Sequence, residues 1–351
     1  MRRVQAGLRV DYGALAERDA SRLENVLGVV AFDTAPPELD GTDVPVAEIN
    51  TPLLGASAQV CEIWRSARPI KSGRRGGVHF RRDADVLFGC VSVDEAVTAG
   101  MLSAAQVAGA ARSALHAATG RAYRDIFSVL DEVGYRHLLR IWNYLPQINA
   151  ESGGTERYWQ FNDARREALI ECGRDVAGNV PAACALGSTS GSPLSIYFLA
   201  SRCAPAAIEN PRQTSAYHYP AQYGPRPAFA RASVLETQES TLLFISGTAS
   251  IVGHQTVHLD DAAAQARETL TNIEALLGEA NRLAGAGLFG LDSLAYKVYV
   301  RRPSDLPAIQ AQLARAVGPS AGIVYLQADI CRQELLVEIE ASGAHVAAGS
   351  G

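Results

Sequence analysis

The sequence predicts an α+β fold of two lobes, each a mixed sheet packed against helices. Three observations carry that expectation. One order of elements, strand–helix–strand–helix–strand–strand, is written twice along the 351 residues. The copies keep register, with Leu87 and Leu243 standing 156 residues apart and Ile141 and Val298 157 apart. Proline and glycine concentrate between the copies, over 203–232, as they do where a chain leaves one unit for the next. The resulting division is 1–205 for a first lobe with an N-terminal extension, 206–232 for a connecting segment rich in Pro, Tyr and Arg, and 233–351 for a second lobe.

In the extension, 25–32 (NVLGVVAF), 47–54 (AEINTPLL) and 61–66 (CEIWRS) are apolar enough for strands. They are expected to extend the first lobe's sheet, and no chemistry is assigned to them. The first copy opens with a strand and bend at 86–91 (VLFGCV). Apolar residues then recur three and four apart over 103–118 and 123–133, the spacing of a helix face. A strand at 137–144 (HLLRIWNY), a helix at 155–172, and strands at 181–187 (PAACALG) and 194–200 (LSIYFLA) complete it. The second copy runs from a strand into a glycine-containing bend at 242–251 (LLFISGTASI), then an amphipathic helix at 261–281. The stretch 294–300 (LAYKVYV) alternates with the period of a strand, and a helix at 305–317 follows. Strands at 322–330 and 335–341 (LLVEIEA) close the copy. Leu194 and Leu335 are 141 apart, so its last segment is the shorter of the two.

Composition excludes several classes. Hydrophobic residues make up 48% and charged ones 20%, an ordinary globular mixture. The net charge of -5 offers no basic surface for nucleic acid. Cys61, Cys90, Cys172, Cys184, Cys203 and Cys331 form no CxxC pair, and the seven histidines show no ligand spacing, so neither a disulfide framework nor a metal site is expected. No run of about 18 apolar residues suggests a membrane span. The first twenty residues lack the apolar core of a signal peptide, and a cytoplasmic protein is expected. GSTSGS at 187–192 lacks the ending of a phosphate loop and reads as a turn between strands, and RRGG at 74–77 as a solvated turn.

Chemistry is sought where residue types are unusual for their setting. The segment 203–232 (CAPAAIENPRQTSAYHYPAQYGPRPAFARA) is rich in Tyr and Arg, which a linker does not need. A pocket for an aromatic-sized dianion needs both, because guanidinium forks bind carboxylates bidentately and stay charged. On LLVEIEA, Leu336, Glu338 and Glu340 fall on one strand face and Val337, Ile339 and Ala341 on the other, an awkward pattern for a plain surface strand.

The second copy resembles the RidA/YjgF family, a chorismate-mutase-like fold. Ile245-Ser246-Gly247, Asp261-x-x-x-Gln265 with Leu270-x-Asn272-Ile273, and Val337-Glu338-Ile339-Glu340-Ala341 carry that resemblance over roughly 230–345. RidA deaminases have an arginine on the penultimate strand, which here reads GIVYLQADI and has none. Together with RIWNYLPQIN (140–149), ERYWQFNDAR (156–165), ENPRQTSAYHYPAQYGPRPAFARA (209–232), ISGTAS and CRQELLVEIEA, the chain resembles the chorismatases over about 85–342. The resemblance implies release of pyruvate from chorismate with no cofactor and no metal. Carboxylate clamps would come from Arg157, Arg226 and Arg231, beside hydroxyls of Tyr158, Tyr217 and Tyr219. Glu338 would be the acid that protonates the enol ether, with Glu340 the weaker candidate. Gly247 and Cys331 match the subtype that yields 3-hydroxybenzoate rather than the hydrolytic subtype that yields a dihydroxycyclohexadiene carboxylate. An imine deaminase and a protein that only binds a small aromatic acid remain the alternatives. RidA-like domains associate as trimers, which the resemblance implies here, although a duplicated chain could satisfy its own sheets.

Overall fold

The computed structural model describes residues 7–15, 23–55, 60–101, 113–318 and 321–346. The first strands do not extend the first lobe's sheet as expected. Strands β1 (Leu8–Gly13), β2 (Val26–Ala31), β3 (Val46–Glu48) and β4 (Cys61–Ser66) form a separate sheet in the order β1-β4-β2-β3. The reason lies in the next hairpin, β5 (Lys71–Arg75) and β6 (Val78–Arg82), which takes the free edge of the lobe. Its outer strand reads KSGRR, and charged residues of this kind guard an edge against further pairing.

The first lobe continues through β7 (Val86–Val93), α1 (Glu95–Met101), α2 (Ala114–Val133), β8 (His137–Pro146), the short strands β9 (Glu151–Ser152) and β10 (Thr155–Glu156), α3 (Arg157–Glu171), β11 (Ala182–Ser188) and β12 (Leu194–Ser201). The second comprises β13 (Ala206–Ile208), β14 (Ala232–Glu236), β15 (Ser240–Ala249), the short pair β16 (Ile251–Val252) and β17 (Gln255–Thr256), α4 (Ala262–Leu283), β18 (Ala295–Val300), α5 (Leu306–Val317), β19 (Ile323–Gln327) and β20 (Val337–Val346). Of the helix expected over 103–118, 103–112 lies outside the described residues, and the remainder belongs to α2, which Ser113 caps. Asp261, expected as the first residue of its helix, is the N-cap of α4 and accepts a hydrogen bond from the Ala264 N–H at 2.9 Å.

The duplication is plain in the sheets. One is ordered β11-β8-β12-β7-β6-β5 and the other, read from its far end, β19-β18-β20-β15-β14-β13. In both, the first pair is parallel and every other pair antiparallel. This is the element order expected from the RidA resemblance, present in each lobe.

Strand alternation then sends alternate residues to two different cores. Ile141, Ile196, Phe198 and Ala200 pack on the helices of the first lobe, and Tyr296, Val298, Val337 and Ile339 on those of the second. Their neighbours Trp142, Tyr144, Tyr197 and Tyr299 enter a third core, shared with Trp64 and Val30 of the N-terminal sheet. The two lobes and the first sheet therefore meet over one buried layer. Leu336 departs from the expected face: it packs in the helix-side core beside Val337, while Leu335 enters the shared layer, because regular alternation begins only at Val337.

Candidate active site

A cleft of about 440 Å³ opens beside that shared layer. Its floor is β20, its walls are the bend of β15 and the 331–335 loop, and its rim is the β9–β10 turn, the start of α3 and the 219–231 segment. Glu338 lies at the floor and is 3% exposed. Burial pushes its carboxyl up to about 8, with the charge of Glu340 adding to the rise and Arg140, Arg231 and Arg301 opposing it. A carboxyl in that state is protonated at neutral pH and can act as a general acid.

Glu340 is the opposite case. One of its oxygens accepts from Trp142 Nε1 at 2.7 Å and lies 2.9 Å from Lys297 Nζ. The other accepts from Arg140 Nη2 at 2.5 Å. Burial would raise this carboxyl, but Lys297 and Arg140 outweigh it and hold it below its ordinary value. It is a locked anion, absent from the cleft wall, so of the two expected acids only Glu338 has both the proton and the access.

Gly247 makes that access possible. The register of β15 against β20 shifts between Ile245 and Thr248, a bulge in which Ser246 and Gly247 face the single residue Glu340. Ser246 fixes the bulge by donating to the Ala230 carbonyl at 2.6 Å and accepting from the Ala183 N–H at 2.9 Å. A Cβ on Gly247 would stand 1.8 Å from Glu338 Oε1, so only glycine leaves room for the carboxyl in this pose.

Two guanidinium groups line the cleft. Arg231 is 4% exposed and donates through Nη2 to the Thr214 carbonyl at 2.8 Å and to Tyr219 Oη at 2.7 Å. Arg332 donates through Nη1 to the His254 carbonyl and lies over the ring of Tyr223, its Cζ 4.1 Å from the centroid. Each keeps a buried donor with no partner among the described residues, Nε of Arg231 and Nη2 of Arg332. Buried unpartnered N–H groups are costly, and in a cleft wall such donors are suited to an anion. Tyr158 and Cys331 complete the wall. Burial raises both groups, Cys331 to about 12, with the Glu338 charge as a second cause, so its sulfur stays a neutral thiol.

Of the residues expected from sequence, Glu338, Cys331, Tyr158, Tyr219, Arg231 and Gly247 come together in the cleft. Besides Glu340, three do not line it. Arg157 is bound to Glu95, at 2.6 Å and 3.2 Å, and to the Pro146 carbonyl, so its fork is occupied in holding α3 to α1. Arg226 is exposed and donates to the Tyr219 carbonyl from outside the rim. Tyr217 packs edge-on to His218 and against the first lobe's core. Sequence reasoning missed Arg332, Trp159 and Tyr223, and the charged group behind the floor. Lys297, Glu62 and Arg140, each about 1% exposed, all sit on strands next to large apolar residues, and that pattern was the available signal.

Comparison with known proteins follows the same outline. A family model described as the N-terminal part of FkbO/Hyg5-like chorismatases matches residues 62–200. A 3-hydroxybenzoate synthase of Streptomyces hygroscopicus is 38% identical over 331 residues, covering 90% of this chain and 91% of that protein. A chorismatase of the same organism is 35% identical, with 90% and 89% covered. A chorismatase crystal structure superposes with a TM-score of 0.82 at 33% identity, covering 96% of this chain and 98% of that one.

Proposed function

The chain belongs to the chorismatase family, and from that premise we propose that it cleaves the enolpyruvyl ether of chorismate into 3-hydroxybenzoate and pyruvate. The observation that carries the reading is Glu338, a carboxyl that keeps its proton up to about pH 8 at the floor of a cleft with two arginines that have donors to spare. Chorismate presents two carboxylates, one on the ring and one on the ether, and Arg231 and Arg332 are the groups suited to take them. With both held, the ether's terminal methylene is presented to Glu338.

Glu338 delivers its proton to that methylene carbon, whose π electrons form the new C–H bond and leave an oxocarbenium ion. The bond from ring carbon to ether oxygen breaks with its electrons on oxygen, which frees pyruvate. The substrate's own 4-hydroxyl oxygen bonds to the ring carbon, and its proton returns to the Glu338 carboxylate. The arene oxide so formed isomerises to 3-hydroxybenzoate, and no water is consumed. Cys331, as a neutral thiol, contributes shape and a weak S–H rather than a nucleophile.

The test is purified protein with chorismate, pyruvate followed by a coupled assay and the ring product by liquid chromatography with mass detection. Pyruvate with 3-hydroxybenzoate is expected. A dihydroxycyclohexadiene carboxylate instead would place the chain in the hydrolytic subtype, and no pyruvate would overturn the reading. Glu338→Gln is expected to abolish turnover with an unchanged circular dichroism spectrum.

A further inference from the structure

Behind the acid lies a group of charges that the reaction does not touch. Lys297 Nζ is 2.5 Å from Glu62 Oε2 and 2.9 Å from Glu340 Oε1, and it donates to Tyr197 Oη at 2.5 Å. Glu62 accepts from Trp64 Nε1 at 2.6 Å, and Arg140 closes the other side of Glu340. These four charged residues come from the three large sheets, none is more than 4% exposed, and their charges sum to zero. A buried group so fully paired is expensive to assemble, and hydrophobic residues of similar size would hold the sheets as well.

We propose that Glu340 is a positioning residue for Glu338: clamped between Lys297 and Arg140, it sets a fixed negative charge behind the acid and so keeps the proton on it. The proposal rests on Glu338 being the acid. Glu338 and Glu340 project from one face of β20, and their partners differ in number. Glu340 has both oxygens engaged by three donors, while Glu338 accepts no hydrogen bond from the protein among the described residues. The charge on Glu340 is the second cause, after burial, of the raised Glu338 carboxyl.

Other groups face Glu338 from the surrounding elements. Arg140 from β8, Arg231 from the segment before β14 and Arg301 after β18 all oppose its proton. Cys184 from β11 and Cys331 from the adjoining loop interact with its charge as neutral thiols, and Tyr299 sits opposite it in register on β18. Three cations therefore pull the proton off, and burial and the charge of Glu340 hold it on. Lys297 serves by keeping Glu340 ionised, and Glu62 balances Lys297, which ties the N-terminal sheet to the chemistry.

The experiment is the pH dependence of kcat/KM for pyruvate release by the full-length enzyme, which reports the acid of the free enzyme. In Glu340→Gln the alkaline limb is expected to move down by about one pH unit or more, with activity retained near pH 6. Glu340→Asp keeps the charge and is expected to restore the limb, whereas a merely structural role would disturb both variants alike. If Glu340→Gln alone fails to fold, Arg140→Met with Glu340→Gln leaves Lys297 paired with Glu62, and a smaller downward shift is expected, because Glu340 acts on Glu338 more strongly than Arg140 does. Titration of the Glu338 carboxyl by difference infrared spectroscopy reads the shift without turnover. A limb unmoved in Glu340→Gln, with Glu338→Gln inactive, overturns the proposal and leaves the acid assignment intact. An active Glu338→Gln overturns the acid assignment itself.

Discussion

A carboxyl whose value rises from 4.5 to about 8 on folding holds a proton that the unfolded chain has released. Over that window the folded state binds the extra proton, so the contribution of Glu338 to stability falls as pH rises from about 4.5 to 8. Glu338→Gln removes this dependence. The variant should gain stability on wild type by roughly 1.4 kcal/mol per pH unit within the window, while losing activity. Urea unfolding at pH 5, 6 and 7 measures the gap, and a constant gap would mean that Glu338 folds ionised. Gly247 and Cys331 can be tested in the same assay. Gly247→Ala drives a methyl into Glu338 Oε1, so kcat is expected to fall tenfold or more as the carboxyl is displaced. Cys331→Ala opens space at the wall, and the product ratio is expected to move toward the dihydroxydiene acid, read by mass detection. Glu338 was legible because two glutamates alternate with Val337, Ile339 and Ala341. Arg157 misled because sequence shows a charge but not the carboxylate 62 residues away that absorbs it.

At the scale of elements, the loop from Ala328 to Leu336 places five of the cleft residues, Cys331 to Leu335, and Arg301 organises it. Arg301 donates to the carbonyls of Leu335, Ile330 and Arg332 at 2.7–2.9 Å and to Asp329 and Asn149. Gln265 of α4 clasps the far end, donating to the Glu334 carbonyl and accepting from the Leu336 N–H. Arg301→Met takes the donor from the Leu335 carbonyl and leaves those of Ile330 and Arg332 with one each, Asn149 Nδ2 and the Leu335 N–H, so the loop should loosen. The expected outcome is a rise in KM of about tenfold or more, with new proteolytic cleavage within 329–335. The opposite rim closes by contact between Trp159 and Gly224, whose φ of 77° and missing Cβ let the segment lie on the indole, 2.4 Å from where a Cβ would be. Helices and lobe strands could be read because their periods are local. Rim and loop could not, since their order comes from side chains on other elements meeting backbone carbonyls.

For the molecule as a whole, duplication explains most of the architecture and the N-terminal sheet explains what duplication leaves over. Two lobes of one topology bury their sheets on each other, and β4 lays Glu62 and Trp64 against the joint. The repeat was legible in the spacing of Leu87 with Leu243 and Ile141 with Val298. The separate sheet was not, because a strand's sequence shows that it pairs and not with which edge. The trimer implied by the RidA resemblance is a separate question for sedimentation. The joint itself can be tested by thermodynamics. Lys297 and Glu62 are both about 1% exposed, and removing either leaves one net charge in a buried layer. Glu62→Gln alone and Lys297→Met alone should each cost on the order of 3 kcal/mol in urea unfolding. The double variant leaves Glu340 paired with Arg140 and no cation or anion stranded, so it should cost clearly less than the sum. Additive losses would mean that the two side chains stabilise the joint independently and that their pairing does not hold the first sheet to the second lobe.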